Sequence, residues 1–342
     1  MSTTVDADVR TTPTAPPTAT RLRRVLLGRD AAIVALLAAT WLIATVAVPN
    51  FGTANTVYFL LEDIFPVLLI ALPMTLVIIT GEIDLSVGSM VGLSTVVVGS
   101  LFDAGLPFGV AALVAVLVGA VGGLFNGVLV TRVGLPSLAV TIGTLALYRG
   151  LAVATLGDKS VTGFPQSWKD LVQNRLFGAG TALPTIIWLF LLLAAFFIVL
   201  LHFTSTGRAV YAIGLNDEAA RFSGIDAGRV KMLMFVATGT VAALAGVWFT
   251  LYYSTARGDN ATGLELSVVA AVLVGGVSIF GGKGGLPGVI AGALLIGTLR
   301  SALRLADVSS DAINVATGLL LVVTVIVPSF LAWLGRVTHR GS

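Results

Sequence analysis

Cysteine is absent from the 342 residues, and only two histidines are present, His202 and His339. The first absence excludes disulfides, thiolate nucleophiles and Cys-ligated metals. The second leaves too few imidazoles, too far apart in the chain, for a histidine metal site, so no metal or other cofactor is expected. Charge is scarce as well. Only 11% of residues are Asp, Glu, Lys or Arg, where a soluble domain carries about a quarter. The basic residues lie scattered among apolar runs, so a net charge of +3 does not mark a nucleic-acid surface. A nucleotide-binding loop is also missing. Gly281-Gly282-Lys283-Gly284 comes nearest, but Val277 stands where the leading glycine belongs and no Ser or Thr follows Lys283. With no Ser/His/Asp set and no acidic metal motif, the chain does not read as an enzyme.

What is abundant is oil. Apolar residues make up 56% of the chain and the mean hydropathy is +1.00. A water-soluble globule cannot hide that much Leu, Val, Ala and Ile; a bilayer can. A helix crosses about 30 Å of hydrocarbon with roughly 20 apolar residues, and lipid offers the backbone no hydrogen-bond partners, so helices are the natural choice. The apolar runs are continuous and do not alternate in steps of two, which argues against a β-barrel. The fold expected is an all-α polytopic bundle of about ten spans: Ala31–Val48, Tyr58–Thr80, Ser86–Phe102, Phe108–Val130, Pro136–Leu156, Pro184–His202, Val230–Tyr252, Leu266–Phe280, Leu286–Leu305 and Ala312–Leu334. Residues 1–30 read as a disordered tail rich in Thr, Pro, Ala and Arg. Residues 31–335 form the membrane domain and 336–342 a short C-terminal tail. Arg21, Arg23, Arg24 and Arg29 precede the first run, which no small-residue cleavage site follows, so an uncleaved first helix is expected. Lys and Arg favour the cytoplasmic side. Most of the 20 fall there when both termini are placed inside.

Two polar segments punctuate the bundle. Residues 157–183 form an outer loop and residues 203–229 a cytoplasmic one. The second contains Gly214-Leu215-Asn216-Asp217-Glu218-Ala219-Ala220-Arg221-Phe222-Ser223-Gly224. Asn216 or Asp217 can cap a short helix there, Glu218 suits its positive start, and Gly224 ends it. Such a helix is either a docking element for a partner or an ordinary amphipathic connector.

Further signals bear on transport. Asp84-Leu85-Ser86-Val87 opens the third span and Glu265-Leu266-Ser267-Val268 the eighth. Both spans are short and glycine-interrupted, a pointer to a transport pathway when they occupy matching halves; four-residue near-matches also arise by chance. Glu82 and Asp84 sit at a span end, either as part of a polar seam or simply marking a helix end that Asp84 or Ser86 caps. Asn126, Thr141, Thr144, Tyr148 and Arg149 crowd two spans. Thr141, Thr144 and Tyr148 share one helix face, which suits either a hydroxylated solute or hydrogen bonding between helices. Gly88/Gly92, Gly119/Gly123, Gly123/Gly127 and Gly288/Gly292 are spaced for close helix packing.

Glu218-Ala219-Ala220, with Gly224 four residues on, resembles the coupling motif of bacterial ABC importer permeases. Gly81-Glu82-Ile83-Asp84-Leu85-Ser86-Val87-Gly88 resembles the signature of the ribose/xylose branch, which more often has glycine at the second position. Thr141–Gly150, Glu265–Gly285 and Ser309–Leu321 look like the same branch. Glu82, Leu156-Gly157-Asp158 and Thr162-Gly163-Phe164-Pro165 look most like rhamnose importer permeases, with autoinducer-2 importer permeases as close relatives. The resemblance implies a type II importer bundle with inverted repeats in a bacterial inner membrane. It also implies ATPase coupling through Glu218, Ala219, Ala220 and Gly224, and partnership with a separate ABC ATPase, a second permease (a copy or a paralogue) and an external solute-binding protein. Glu82, Asp84, Asn126, Thr141, Thr144, Tyr148 and Glu265 are the pathway candidates. An ion-coupled secondary transporter is the alternative of another class.

Overall fold

The computed structural model describes residues 29–320 and 322. The expected N-terminal tail, the end of the tenth apolar segment and the C-terminal tail lie outside these. Twelve named helices follow one another: α1 (Arg29–Ala47), α2 (Ala54–Ile79), α3 (Val87–Asp103), α4 (Phe108–Thr131), α5 (Ser137–Leu156), α6 (Gln166–Gln173), α7 (Ile187–Phe203), α8 (Ser205–Leu215), α9 (Asp217–Phe222), α10 (Ala227–Tyr252), α11 (Leu264–Val274) and α12 (Leu286–Leu305). Residues 310–320 are also helical. Among the described residues there is no named strand, only two isolated bridges.

Among the described residues, five helices are long and apolar enough to cross a membrane: α2, α4, α5, α10 and α12. The α7–α8 pair, bent by 67°, makes a sixth if counted as one span. The apolar segments are helices of unequal length. The eighth departs most, because helix runs only from Leu264 to Val274. Gly275 and Gly276 (φ +92°) end it, and 276–284 forms a glycine turn. A helix missing from the hydropathy reading, α6, folds inside the 157–183 loop.

Helix α2 is the axis of the bundle. It is apolar all round, as a helix surrounded by others must be, and nearly every residue from Ile64 to Ile79 is buried. The α4–α10 crossing is close because glycines face backbone. A Cβ on Gly123 would run into the Phe235 carbonyl, and one on Gly119 into Gly239 and Ala243. Gly292 of α12 likewise faces the Ala271 carbonyl and Gly275 backbone of α11. The expected small-residue spacing therefore serves packing at both crossings.

On α3 the same spacing serves a different neighbour. Gly99 and Gly92 lie against the non-helical segment 256–263, and Gly88 against the first turn of α11 that follows it. A Cβ on Gly92 would sit 2.9 Å from the Asn260 carbonyl, and one on Gly88 3.1 Å from the Glu265 amide. Loop backbone thus descends along α3 into the bundle and delivers the start of α11 beside the start of α3.

The polar segments gather at two opposite ends. At one, Val161 bridges Ala256 and the Gln173 amide donates to the Leu251 and Tyr252 carbonyls. At the other, Gly282 N–H donates to the Ile79 carbonyl at 2.8 Å and packs on Gly214 and Leu215.

Candidate functional site

The start of α3 is built around one carboxylate. Asp84 is buried, and its Oδ1 accepts from the Ser86 amide (3.0 Å) and the Ser86 hydroxyl (2.6 Å). A carboxylate that accepts from the amide two residues on closes an Asx turn, which sets Ser86 as the residue before the helix. Neither Asp84 nor Ser86, the two capping candidates, bonds a first-turn amide of α3 through its side chain among the described residues. Its Oδ2 accepts from the Thr238 hydroxyl of α10 at 2.9 Å. Asn126 of α4 donates to Ser86 Oγ at 2.9 Å, and Tyr148 of α5 donates to the Gly122 carbonyl at 2.9 Å. Thr141 donates to the Ile83 carbonyl and to Ser137, whose hydroxyl receives the Ile83 amide. Thr144 is spent on the Val140 carbonyl.

Asp84, Asn126, Thr141, Thr144 and Tyr148 are therefore brought together, all buried. Their hydrogen-bonding capacity is directed at one another and at backbone, so they lock four helices around the 81–86 segment. Glu265 lies apart from them, at the first turn of α11 against Gly88. The start of α11 thus lies beside the first turn of α3. Arg149 ties the same region together, donating to the carbonyls of Gly258 (2.8 Å) and Asn260 (2.7 Å). Glu62 of α2 is also buried, and its carboxylate oxygens have no hydrogen-bond partner among the described residues.

At the other end stands α9. Asn216 is its N-cap, accepting from the Ala219 amide at 2.9 Å. Its C-terminus closes by two backbone bonds, Ile225 N–H to the Ala220 carbonyl and Gly224 N–H to the Arg221 carbonyl, with Gly224 at φ +82°. That pair of bonds is a Schellman motif, which needs a left-handed residue at the position Gly224 occupies. Ala220 packs inward against Ile213 and Ala227. Glu218 and Ala219 face outward, and so does Phe222, which is 86% exposed. Phe222 escaped the sequence reading. Its only signal was position, four residues from Glu218 and hence on the same face.

Three contacts join α8 and α9 to the bundle. Lys231 Nζ lies 2.8 Å from Glu82 Oε1 and 3.6 Å from Asp217 Oδ1. Tyr211 donates to the Gly284 carbonyl at 2.7 Å. Gly214 touches the backbone of Ile79 and Gly282. Glu82, one of the pathway candidates, pairs with Lys231 at this end, two residues before Asp84.

Residues 56–327 match the family model described as branched-chain amino acid transport system / permease component. An autoinducer 2 import system permease protein of Yersinia pseudotuberculosis is 34% identical over 278 residues, 80% of this chain and 82% of that protein. Its counterpart from Yersinia pestis is 33% identical over the same shares. No solved structure matches. With four-fifths of its length aligned to these permeases and the family pattern running from α2 past α12, the chain belongs to the permease-component family of ABC importers, in the branch that includes the autoinducer 2 permeases.

Proposed function

We propose that the chain is the membrane-spanning subunit of an ATP-driven, binding-protein-dependent importer of a small polyhydroxylated solute. The observation that carries this reading is α9. It is a six-residue helix capped at both ends, presenting Glu218, Ala219 and Phe222 outward while Lys231 and Tyr211 fasten its surroundings to the bundle. A helix this short is unstable alone. Full capping and external display suit a rigid foot seated in another subunit.

In this mechanism an ABC ATPase closes on ATP and pushes α9, and the push reaches the bundle through Lys231 and the Gly281–Gly284 turn. A second permease completes the pathway and an external binding protein delivers solute. About ten membrane passages, counting the shorter helices, inverted repeats opening at Asp84 and Glu265, and both termini on the cytoplasmic side complete the proposal. The names of the relatives favour autoinducer 2 as solute over rhamnose or a related monosaccharide. The buried cluster of Asp84, Asn126, Thr141, Thr144 and Tyr148 acts as the rigid seam beside which that pathway runs.

The test replaces Glu218 by Arg, and separately Gly224 by Val, in the assembled transporter. Each variant should insert normally yet lose about tenfold or more of ATP-dependent uptake, the scale of removing one interface anchor. Full uptake in both variants sinks the coupling assignment. Uptake that follows a proton gradient without any ATPase would instead favour ion-coupled transport.

A further inference from the structure

A cavity of about 480 Å³ opens between the start of α11, the outer half of α12 and the helix from residue 310. Its polar lining comes from three elements: Ser267 of α11, Arg300 of α12, and Asn314 and Thr317 of the last helix. We propose that this cleft, not the buried hydroxyl cluster on α5, is where the solute touches this chain, and that Arg300 and Asn314 bind its oxygens. The inference rests on the import reading above and assigns the contact within it.

Four observations converge. First, the hydroxyls on α5 have their donors committed to backbone carbonyls, and Thr141, Thr144 and Tyr148 are all buried. Second, Arg300 is half-buried, and no carboxylate lies within 4.0 Å of it among the described residues. Its one hydrogen bond among those residues is long, 3.4 Å to the Thr317 hydroxyl. Its neighbour Arg304, one turn on, takes Asp63 at 3.0 Å instead. A guanidinium presents five donors in a fixed fork, so most of them remain to be used. Third, Asn314 is exposed one turn into an apolar helix, next to Val315 and Leu319, which are also exposed. A primary amide and a cation at this depth are costly against lipid and belong in a wetted cleft. Fourth, the loop descending along α3 delivers Thr262 and Gly263 to the wall of the cleft, so non-helical backbone lies where a cavity can satisfy it. Donors and acceptors without a fixed full charge opposite them fit a small, uncharged, hydroxyl-rich molecule. The volume suits one such molecule.

The absence of native cysteine makes the test direct. Asn314→Cys is built into the full chain, assembled with ATPase and binding protein in proteoliposomes, and exposed to a membrane-impermeant thiol reagent from the binding-protein side. The reagent should react, and labelling should slow by about tenfold when a transported solute is present at roughly ten times its Kd, with autoinducer 2 and L-rhamnose as the probes. Arg300→Gln should lower uptake by a similar factor while ATPase binding and basal hydrolysis persist, and Arg300→Lys should recover only part. Reaction of the introduced thiol with lipid-soluble maleimide but not with the impermeant reagent overturns the proposal, because the cleft would then face lipid. Labelling indifferent to a solute that is demonstrably transported overturns it too, as does wild-type uptake by Arg300→Gln. If no ATPase co-purifies with the wild-type chain, the import reading fails instead, while aqueous access at position 314 still reports on the cleft.

Discussion

Glutamate at position 82 makes physical sense only beside Lys231. The two side chains are 15% and 13% exposed, so each would be poorly hydrated without the other, and removing one partner of such a pair strands the remaining charge. Asp217, the first residue of α9, lies within reach of the same ammonium, and Arg221 holds its other oxygen at 3.1 Å. Lys231 therefore connects the displayed helix to the segment whose next carboxylate, Asp84, closes the turn leading into α3. This gives a prediction with a built-in control. Glu82→Gln or Lys231→Met should cost at most about 3 kcal/mol of stability and, more tellingly, should lower solute moved per ATP hydrolysed. The swap Glu82→Lys with Lys231→Glu should restore the ratio in good part. Coupling measured in proteoliposomes checks it, and an unchanged ratio in both single variants would remove Lys231 from the transmission path. The sequence could not pair these residues. They stand 149 positions apart, and nothing local to either names the other.

Among the elements, glycine placement separates packing from indifference. On α4, Gly119 and Gly123 face the backbone of α10 with no room for a methyl group. On α5, Gly143 and Gly150 meet nothing within 4 Å. Gly119→Leu should wedge α4 from α10 and abolish a folded, monodisperse protein. Gly143→Ala should raise thermal stability by up to about 1 kcal/mol, the helix-propensity gain at an open site. Melting in detergent distinguishes the two, and comparable melting of both variants would contradict the close α4–α10 crossing. This contrast also marks what the sequence could tell. Spacing of four announced close approach, correctly for α4 and α12, but it did not say what approaches. For Gly88 and Gly92 the neighbour is the descending 256–263 loop and the first turn of α11 that it delivers, a feature without hydropathy of its own. The α9 caps were legible because capping chemistry is local to Asn216 and Gly224. The half-length of α11 was not. Residues 275–280 remain apolar enough to extend a hydropathy window, while the left-handed turn at Gly276 ends the helix.

For the whole molecule, the arrangement that matters is which polar segments share an end. The Val161–Ala256 bridge and the Gln173 contacts put the α6 loop with the 252–258 turn. The Gly282–Ile79 bond and the Lys231–Glu82 pair put α8, α9 and the glycine turn together at the opposite end. Hydropathy delivered this division, because long polar stretches cannot remain in hydrocarbon, and the basic residues then suggest which end faces the cytoplasm. A chain that gathers its displayed helix, its shared ammonium and its glycine turn at one end can take force there. A chain whose loop dips inward from the other end can admit solute there. The two tasks require those ends to face different compartments, which is open to direct measurement. A reporter fused at Gly163 should be active only outside the cytoplasm and one at Ser223 only within it. Single cysteines introduced at the same two sites should be labelled by an impermeant reagent at the first position in intact cells and at the second only after permeabilisation. If both positions label from one side, the bundle does not separate a receiving face from a driven face, and no motion of α9 could then be converted into passage across the membrane.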